Sequence, residues 1–220
     1  MSANFKRSAT FAHAAFWSAV RPALDSLIPG LVDAAPVELM GGAAVEALDR
    51  EGGIDALLIR RCVVRGQRLT YTQGLAVRVQ PTARPWRTYT VRFGTRRHPS
   101  EFRKRCWAFR AQAGAAPIMA PALTLQAYVD PADGHLRCAA VARTVDVIGA
   151  VQRALTRIKQ EAPESARRWL ASPSTAPLRD PRSPVHFRRN RQDGKIFAVV
   201  PWGFVPSYVE EAVDDGALTL

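Results

Sequence analysis

The sequence lacks the features that would place the protein in or across a membrane. None of its stretches reaches about eighteen uninterrupted apolar residues, the length typical of a membrane-spanning helix. The first residues hold a short apolar run that His13 interrupts, and no small-residue cleavage site follows it. We therefore expect no secretory signal peptide, no membrane partner, and a location in a bacterial cytoplasm.

Cysteine is scarce, and the three cysteines, Cys62, Cys106 and Cys138, are far apart. An odd and dispersed set argues against a disulfide framework and for a reducing compartment. His135 and Cys138 have the short spacing of zinc ligands, but no second short pair accompanies them. We interpret them as a hairpin histidine beside a buried cysteine rather than as half of a zinc site.

Lysine is rare, and one stretch has almost no acidic residues. Only four of the 31 basic residues are lysines, an arginine bias that a GC-rich genome explains as well as selection for guanidinium chemistry does. Residues 1–59 carry a net charge of −3 and residues 111–220 a net charge of +2. Residues 60–110 hold thirteen arginines and Lys104 against Glu101 alone, a net charge of +13. The whole positive excess therefore lies in this basic stretch.

Such a concentrated positive field favours a polyanionic partner, most often nucleic acid, DNA or RNA. A solvated basic face, or a contact with an acidic protein, is the alternative. The basic side chains predicted to bind nucleic acid are Arg60, Arg61, Arg92, Arg96, Arg97, Lys104 and Arg105. Aromatic residues of the same stretch could stack on bases where they are exposed, although aromatics at strand or helix spacing usually belong to the core. They are Trp86, Tyr89, Trp107 and Phe109.

Hydrophobic periodicity and turn residues predict a chain of alternating helices and strands. The predicted helices cover residues 8–28, 36–50, 100–112 and 144–159. The predicted strands cover residues 54–60, 74–80, 88–93, 123–129, 136–143, 185–189 and 196–201. The first three strands are expected to be consecutive in one sheet, which the hairpin at 123–143 joins. Prolines in residues 162–184 predict an exposed loop, and residues 210–220 an acidic, frayed tail.

This order predicts an α/β (or α+β) fold with a mixed central sheet and flanking helices. Residues 1–160 are expected to form the core with its N-terminal helices. Residues 161–220 are expected to form an extension, a proline-rich loop followed by a hairpin, that packs on this core.

Asp55 opens the first predicted strand and is the only acidic residue between Gly52 and Ser100. The tripeptide Gly53-Ile54-Asp55, with the order helix, three strands, helix, strand, resembles the PD-(D/E)XK (restriction-endonuclease-like) superfamily over roughly residues 36–130. In that family the aspartate is catalytic, and an acid-x-Lys signature lies on the next strand. Here that place reads Ala76-Val77-Arg78, so Ala76 replaces the metal-binding acid and Arg78 the lysine, unless Gln80 is a relocated ligand.

The resemblance implies a restriction-endonuclease-like core that hydrolyses phosphodiesters with Mg²⁺. Carboxylates would hold the ion, which activates water and neutralises developing charge. The implied metal ligands are Asp55 and Asp49, with Glu46 as another acid of the same predicted helix, and the implied catalytic set is Asp55, Asp49, Arg78 and Gln80. An arginine stays protonated and can only neutralise charge, whereas the family's lysine can also act as a base. An aspartate at the start of a strand is also a common turn former, so a structural role for Asp55 stays open.

Two classes of function are therefore carried forward. In the first, the protein processes nucleic acid with a nuclease-like core that is either active with Mg²⁺ or degenerate. In the second, it is a non-catalytic basic subunit of a larger nucleic-acid or protein assembly. The sequence has no recognisable serine or cysteine nucleophile motif and no glycine-rich phosphate-binding loop.

Overall fold

A computed structural model describes residues 14–37, 48–93, 101–112, 120–172, 176–190 and 194–212, with backbone alone for residues 50–51, 107–112 and 211–212. Helices α1 to α4 are Leu24–Leu27, Glu101–Gln112, Thr144–Glu161 and Pro163–Ala171. Strands β1 to β10 are Leu31–Pro36, Ala56–Val64, Gln67–Pro81, Thr88–Phe93, Pro121–Val129, Leu136–Arg143, Leu178–Arg179, His186–Arg189, Ile196–Pro201 and Val209–Ala212. Short π or 3₁₀ turns occupy Phe16–Val20, Arg21–Ala23, Leu48–Gly52 and Trp202–Phe204.

The fold is α+β and is built on a mixed central sheet. Among the described residues, its strand order is β1-β2-β3-β5-β6-β10. Strands β3 and β5 pair in parallel, and the other neighbours in this sheet pair antiparallel. A second, antiparallel sheet has the order β4-β9-β8-β7. Strands from residues 161–220 thus enter both sheets, since β10 pairs with β6 while β9 pairs with β4.

Side chains alternate along each strand of the central sheet, so each strand contributes residues to both faces. Both faces are buried by packing. One face, represented by Leu75 and Leu125, packs on the N-terminal helical turns around Leu24. The opposite face, represented by Tyr128 and Ala140, packs on α3 and the second sheet. Burial on two sides explains why β5 and β6 are almost continuously buried rather than alternately exposed.

Side-chain hydrogen bonds hold β4 against β5 of the central sheet. The Tyr128 hydroxyl donates to the Thr88 carbonyl oxygen (2.8 Å), and the Thr90 hydroxyl donates to Gln126 Oε1 (3.1 Å). Strand β4 therefore lies over the central sheet instead of beside β3. The prediction that residues 54–93 form three consecutive strands of one sheet is wrong in this respect. Strand β4 does cover residues 88–93 as predicted, but Arg87 (φ +48°) reorients the chain before it.

Three other segments differ from the predictions. The predicted helix at 36–50 begins where β1 ends; its residues 48–50 belong to a π turn, and residues 38–47, including Glu46, lie outside the described part. The predicted loop at 162–184 contains α4 and β7, because Pro163 occupies the first turn of a helix, where proline is favoured. The predicted tail begins with β10, which pairs with β6.

Other predicted elements are confirmed. The hairpin of β5 and β6 lies in the same sheet as β2 and β3, and β8 and β9 form the second predicted hairpin. The helix predicted at 100–112 is α2, and the helix predicted at 144–159 is α3, which extends to Glu161. Among the described residues, no helix is long and apolar enough to cross a membrane.

Among the described glycines, Gly30 lies closest to the backbone of another segment. It has φ +74°, and a Cβ added to it would lie 2.2 Å from the Arg61 carbonyl oxygen. We expect Gly30→Ala to lower the free energy of unfolding by about 3 kcal/mol or more, from left-handed strain plus overpacking against backbone. Gly66→Ala is the matched control, because Gly66 has φ +80° and nothing within 4 Å of an added Cβ. It should cost about 1 kcal/mol in urea unfolding, and equal losses would show that the contact with Arg61 is unimportant.

Candidate functional site

Asp55 immediately precedes β2, and its side chain completes the hydrogen bonding of β3. Its backbone N–H donates to the Leu75 carbonyl oxygen (2.9 Å), and its Oδ2 accepts from the Val77 N–H (2.6 Å). Among the described residues, the pairing of β2 with β3 stops at Ala56 and Leu75. The carboxylate therefore takes the place of a missing backbone acceptor beyond that point. This is a structural role, one of the two that the sequence left open.

Burial raises the pKa of Asp55 to about 7. The hydrogen bond from Val77 and the nearby Arg105 lower the pKa by less, and the carboxylates of Asp49 and Glu101 raise it further. The Asp55 carboxyl is therefore much easier to protonate than an exposed aspartate. The same interactions show that Asp49 and Asp55, the two predicted metal ligands, lie within electrostatic range of each other.

Glu101, the first residue of α2, is the centre of a cluster of arginines that we call the Glu101 cluster. Its carboxylate lies 3.1 Å from Arg78 Nη1, 3.4 Å from Arg92 Nη2 and 4.0 Å from Arg105 Nη2. The Arg92 backbone N–H also donates to Glu101 Oε2 (3.1 Å). Arg105 is the most enclosed member, with 5% of its side chain exposed. The cluster joins β3, β4 and α2.

The charges of this cluster are strongly coupled. Burial by itself would raise the pKa of Glu101, but Arg78, Arg105 and Arg92, in that order, together with the Arg92 N–H, outweigh burial and lower it to about 2. Burial also lowers the pKa of Arg105, which Glu101 and Asp55 counteract. Glu101 is thus a permanent anion whose charge three guanidinium groups share.

The sequence did not predict a role for Glu101. The signal that could have identified it is its isolation, because Glu101 is the only acidic residue between Asp55 and Asp130. A single acid in such a basic stretch is the natural counter-ion for whichever arginines become buried, since buried charges are paired. Its position also indicates a structural role, because Glu101 lies in the first turn of α2, where the helix dipole favours acids.

The structure separates the predicted nucleic-acid-binding residues into different environments. Arg92 and Arg105 face Glu101, as described above. Lys104 donates to the Asp49 carbonyl oxygen (2.9 Å) and so ties α2 to the turn at Leu48–Gly52. Arg60 donates to the Pro29 carbonyl oxygen (2.7 Å), whereas Arg61 is exposed. Arg96 and Arg97 belong to residues 94–100, which lie outside the described part of the chain.

Arg78 and Gln80, two members of the predicted catalytic set, border an open cleft of about 750 Å³. The cleft lies between the end of β3, strand β4 and strands β8 and β9. Among the described residues that line it, none carries a carboxylate. The lining residues are Arg78, Gln80, Pro81, Trp86, Thr90, Pro177, His186, Arg188, Arg189, Asn190 and Phe197.

Two arginines of the cleft are supported by aromatic rings. The Arg78 guanidinium carbon lies 4.9 Å from the centre of the Phe197 ring, and the Arg188 carbon lies 5.0 Å from the centre of the Trp86 ring. Arg78 also contacts Glu101, so its guanidinium is held from two sides. Trp86 remains 50% exposed. The cleft therefore offers oriented cations and an accessible indole.

His186 adds a polar group to the cleft. Burial is the largest influence on its ring and lowers its pKa, and the nearby Arg179 and Arg188 act in the same direction. Its Nδ1 lies 3.2 Å from the Pro184 carbonyl oxygen. Burial and the two arginines therefore make the ring harder to protonate than an exposed histidine. Sequence reasoning had not selected His186, Arg188 or Phe197.

Comparison of the chain with family models, with curated proteins and with solved structures finds no match. Among the described residues, no group of three or more His, Cys, Asp or Glu side chains is arranged to hold a metal ion.

Glu101→Gln should destabilise the fold, because Arg78, Arg92 and Arg105 would lose their shared anion. Breaking a buried ion pair costs about 3 kcal/mol, and we expect a loss of that order in urea unfolding at neutral pH. The stabilisation by Glu101 exists above its unfolded pKa and disappears as the pH falls toward about 2. The variant should therefore lose less stability than the parent on acidification.

Glu164→Gln is the matched control for this prediction. Glu164 pairs with Arg167 at 2.8 Å, but both side chains are more than two thirds exposed. Removing an exposed pair should change the free energy of unfolding by about 0.5 kcal/mol or less. If the two variants behaved alike, the Glu101 cluster would be no more than a surface ion pair.

Proposed function

We propose that the protein binds nucleic acid through the cleft between β3, β4, β8 and β9. The observation that carries the proposal is the combination of aromatic-supported arginines with an exposed tryptophan in a cleft without a carboxylate. Phosphate groups are bound by guanidinium groups, and bases stack on accessible aromatic rings. The concentration of positive charge in residues 60–110 supports the same conclusion.

The support of Arg78 and Arg188 matters for this function. A flexible arginine loses conformational entropy when it binds a phosphate, whereas a guanidinium already held on a ring and on Glu101 loses less. Trp86 is both the ring beneath Arg188 and the most exposed aromatic residue near the cleft. It can therefore position a phosphate-binding group and present a stacking surface together. We expect single-stranded nucleic acid to use the cleft, because its bases are free to stack.

An acidic protein partner is the alternative reading of the same positive charge. Such a partner would need the arginines but would gain little from the indole face of Trp86. In either case the protein could act as a non-catalytic subunit of a larger assembly, which is the alternative to a nuclease. Variants of Trp86 and of Arg188 separate the two readings.

Trp86→Ala should weaken binding of a labelled single strand of about 12 nucleotides by roughly tenfold, since base stacking contributes about 1–3 kcal/mol per base. Arg188→Gln should weaken it as well and lower the salt dependence, with a slope smaller by about 0.7 per lost phosphate contact. Fluorescence anisotropy between about 50 and 200 mM salt measures both effects.

Arg168→Gln removes the same charge from an exposed position on α4 that does not line the cleft. It should leave affinity within about twofold of the parent, because a single distant surface charge is largely screened at these salt concentrations. Absence of binding by the parent, or binding insensitive to salt, contradicts the proposal. Loss of affinity in Arg188→Gln without any effect of Trp86→Ala would show that charge alone is recognised and would remove base stacking from the proposal.

Metal-dependent phosphodiester hydrolysis on a restriction-endonuclease-like core is the second candidate function. It is supported by the placement of Asp55, Arg78 and Gln80, because Asp55 precedes β2 opposite the β3 segment that carries the other two. Strand β3 pairs in parallel with β5, and β4 and α2 lie between them in the chain. The third predicted strand, β4, belongs to the second sheet, so this core departs from the three-stranded meander that the resemblance implies.

Two carboxylates of this region could hold a Mg²⁺ ion if water and substrate supply the other ligands. This ion is commonly held by one or two carboxylates together with water and substrate phosphate oxygens. Asp49 and Asp55 would supply the carboxylates, whereas Glu101 is occupied by arginines and Ala76 offers no side-chain oxygen. A bound ion would supply Lewis acidity at the phosphate. Arg78 would contribute charge neutralisation, since its guanidinium cannot act as a base.

Asp55→Asn tests this candidate. The amide oxygen can still accept the Val77 hydrogen bond, so folding and nucleic-acid binding should persist while the negative charge needed for a cation disappears. We expect cleavage of plasmid DNA or RNA in Mg²⁺ or Mn²⁺ to fall below detection in this variant. Asp25→Asn, at an exposed position of α1, should cleave at the parent's rate.

Cleavage by Asp55→Asn at the parent's rate would leave Asp55 with its structural role alone. A parent that binds but does not cleave would remove the second candidate and leave the binding proposal intact.

A further inference from the structure

Strands β2 and β3 extend beyond the central sheet as a two-stranded ribbon. The pairing of β1 with β2 ends at Arg60, and the pairing of β3 with β5 begins at Gly74. Between these limits, residues 61–70 pair as strands only with each other within the described part of the chain, from Arg61 opposite Thr70 to Val64 opposite Gln67. We call residues 61–70 the arm; at its base the Arg61 N–H donates to the Gly30 carbonyl oxygen (2.7 Å). Its tip is a two-residue turn in which Arg65 (φ +51°) and Gly66 (φ +80°) both have positive φ, as a tight hairpin turn requires.

The base of the arm is anchored, while the arm itself is exposed. The Arg60 guanidinium donates to the Pro29 carbonyl oxygen and to Gln73 Oε1 (2.9 Å) and lies 5.8 Å from the Tyr71 ring centre. Beyond this anchor, Val63 is 67% exposed and Leu69 is 45% exposed. An isolated hairpin with exposed apolar residues and open edges is unfavourable in water and invites a partner.

Cross-strand pairing shows which side chains share a face of the arm. Arg61 lies opposite Thr70, and Val63 lies opposite Arg68. Directly opposed residues project from the same face of an antiparallel pair, so these four form one surface, which we call the arginine face. All four are exposed. The arm contains no acidic residue, and Arg61, Arg65 and Arg68 form no ion pair with any residue that the structure describes.

We propose that the arm is a second nucleic-acid contact that inserts its arginine face into the major groove of duplex DNA. This inference rests on the proposed nucleic-acid binding and adds the class of nucleic acid and a contact separate from the cleft. Its occupant follows from charge, because three arginines without an ion-pair partner in the described part of the chain, and no acid in the arm, complement a polyanion. The intervening Val63 and Thr70 carry methyl groups, which match the thymine methyl in the groove, while arginine pairs with guanine or phosphate.

The dimensions of the arm select B-form DNA over double-stranded RNA. Two paired strands lie about 4.8 Å apart, and the B-form major groove, about 12 Å wide, admits such a ribbon. The arm projects four residues from Arg61 to Arg65, or about 14 Å at strand rise, which exceeds the groove depth of about 8.5 Å. The major groove of A-form RNA is too narrow for side chains to read.

The test compares the full chain with a triple variant, Arg61→Gln, Arg65→Gln and Arg68→Gln. The matched control is Arg153→Gln, Lys159→Gln and Arg168→Gln, which removes the same charge from exposed positions on α3 and α4. Each protein is titrated against three labelled probes by fluorescence anisotropy. The probes are a DNA duplex of about 20 base pairs, two helical turns, an RNA duplex of the same length, and the single strand used for the cleft.

The arm variant should bind the DNA duplex at least about tenfold more weakly than the parent, with a salt slope reduced by about 3. Its affinity for the single strand should stay within twofold (about 0.4 kcal/mol) of the parent's, because the cleft is intact. The control triple variant should lose less than about threefold for the duplex. Circular dichroism and thermal melting of the variants confirm that the exposed substitutions leave the fold unchanged.

Several outcomes would overturn the inference. Equal losses in the arm and control variants would reduce the arm to a general charge effect. Arm-dependent binding of duplex RNA as tight as that of DNA would exclude insertion in the major groove. Loss of a dimer in light scattering, with DNA affinity unchanged, would make a second copy of the chain the occupant. Duplex binding that ignores the arm while the single strand still binds refutes this inference alone, whereas absence of all binding refutes the cleft proposal as well.

Discussion

The ion pairs around Glu101 are the constraint on which the arrangement of the two sheets depends. Arg78 comes from the central sheet, Arg92 from the second sheet, and Glu101 and Arg105 from α2. A single carboxylate therefore holds β3, β4 and α2 together, although they belong to two sheets and a helix. Because Arg105 is almost completely buried, the anion stabilises the fold: an unpaired guanidinium in that position would lose its hydration without compensation.

The same pairing decides which part of the basic stretch remains available to a partner. Three of its arginines are neutralised in part by Glu101, and Arg60 is used to anchor the arm. Among the described residues of this stretch, Arg61, Arg65 and Arg68 lie in the arm and Arg87 pairs with Glu210 (3.1 Å), whereas the cleft draws Arg188 and Arg189 from outside the stretch. The net charge counted from the sequence therefore overstates the positive potential at any one surface. Arg78 is the exception, because it belongs to both the internal cluster and the cleft.

Local patterns in the sequence were sufficient for elements whose signals are local. The hairpin of β5 and β6 follows from two apolar runs around a turn rich in aspartate and glycine, and Gly66 marks the tip of the arm. The position of β4 could not be predicted in this way. Its residues have strand character, but the sheet they join depends on two side chains 40 and 36 residues later: Tyr128, which donates to the Thr88 carbonyl oxygen, and Gln126, which accepts from the Thr90 hydroxyl. A period of two in hydrophobicity identifies a strand but does not show which strand it pairs with.

The candidate site shows the same division. Asp55 could be singled out because it stands alone at a strand start, and Arg78 and Gln80 because they follow it on the next strand. The structure gives Asp55 a backbone acceptor role and places the other two at the cleft. Glu101, Arg188 and Phe197 were not identified, because their importance arises from tertiary contacts. Whether a charged residue is a solvated surface group or a buried partner depends on burial, which composition does not encode.

Strand β3 connects the two surfaces, and its length limits what can occupy both. Arg68 lies in the arm and Arg78 at the cleft, ten residues apart on one strand, or about 34 Å at full strand rise and somewhat less with twist. Sites this far apart share no side-chain partner, so their contributions to affinity should be independent. A short oligonucleotide that fills the cleft cannot also reach the arm. A ligand that spans both must be about one turn of B-form DNA in length, and its gain in affinity would come from connecting two contacts rather than from improving either.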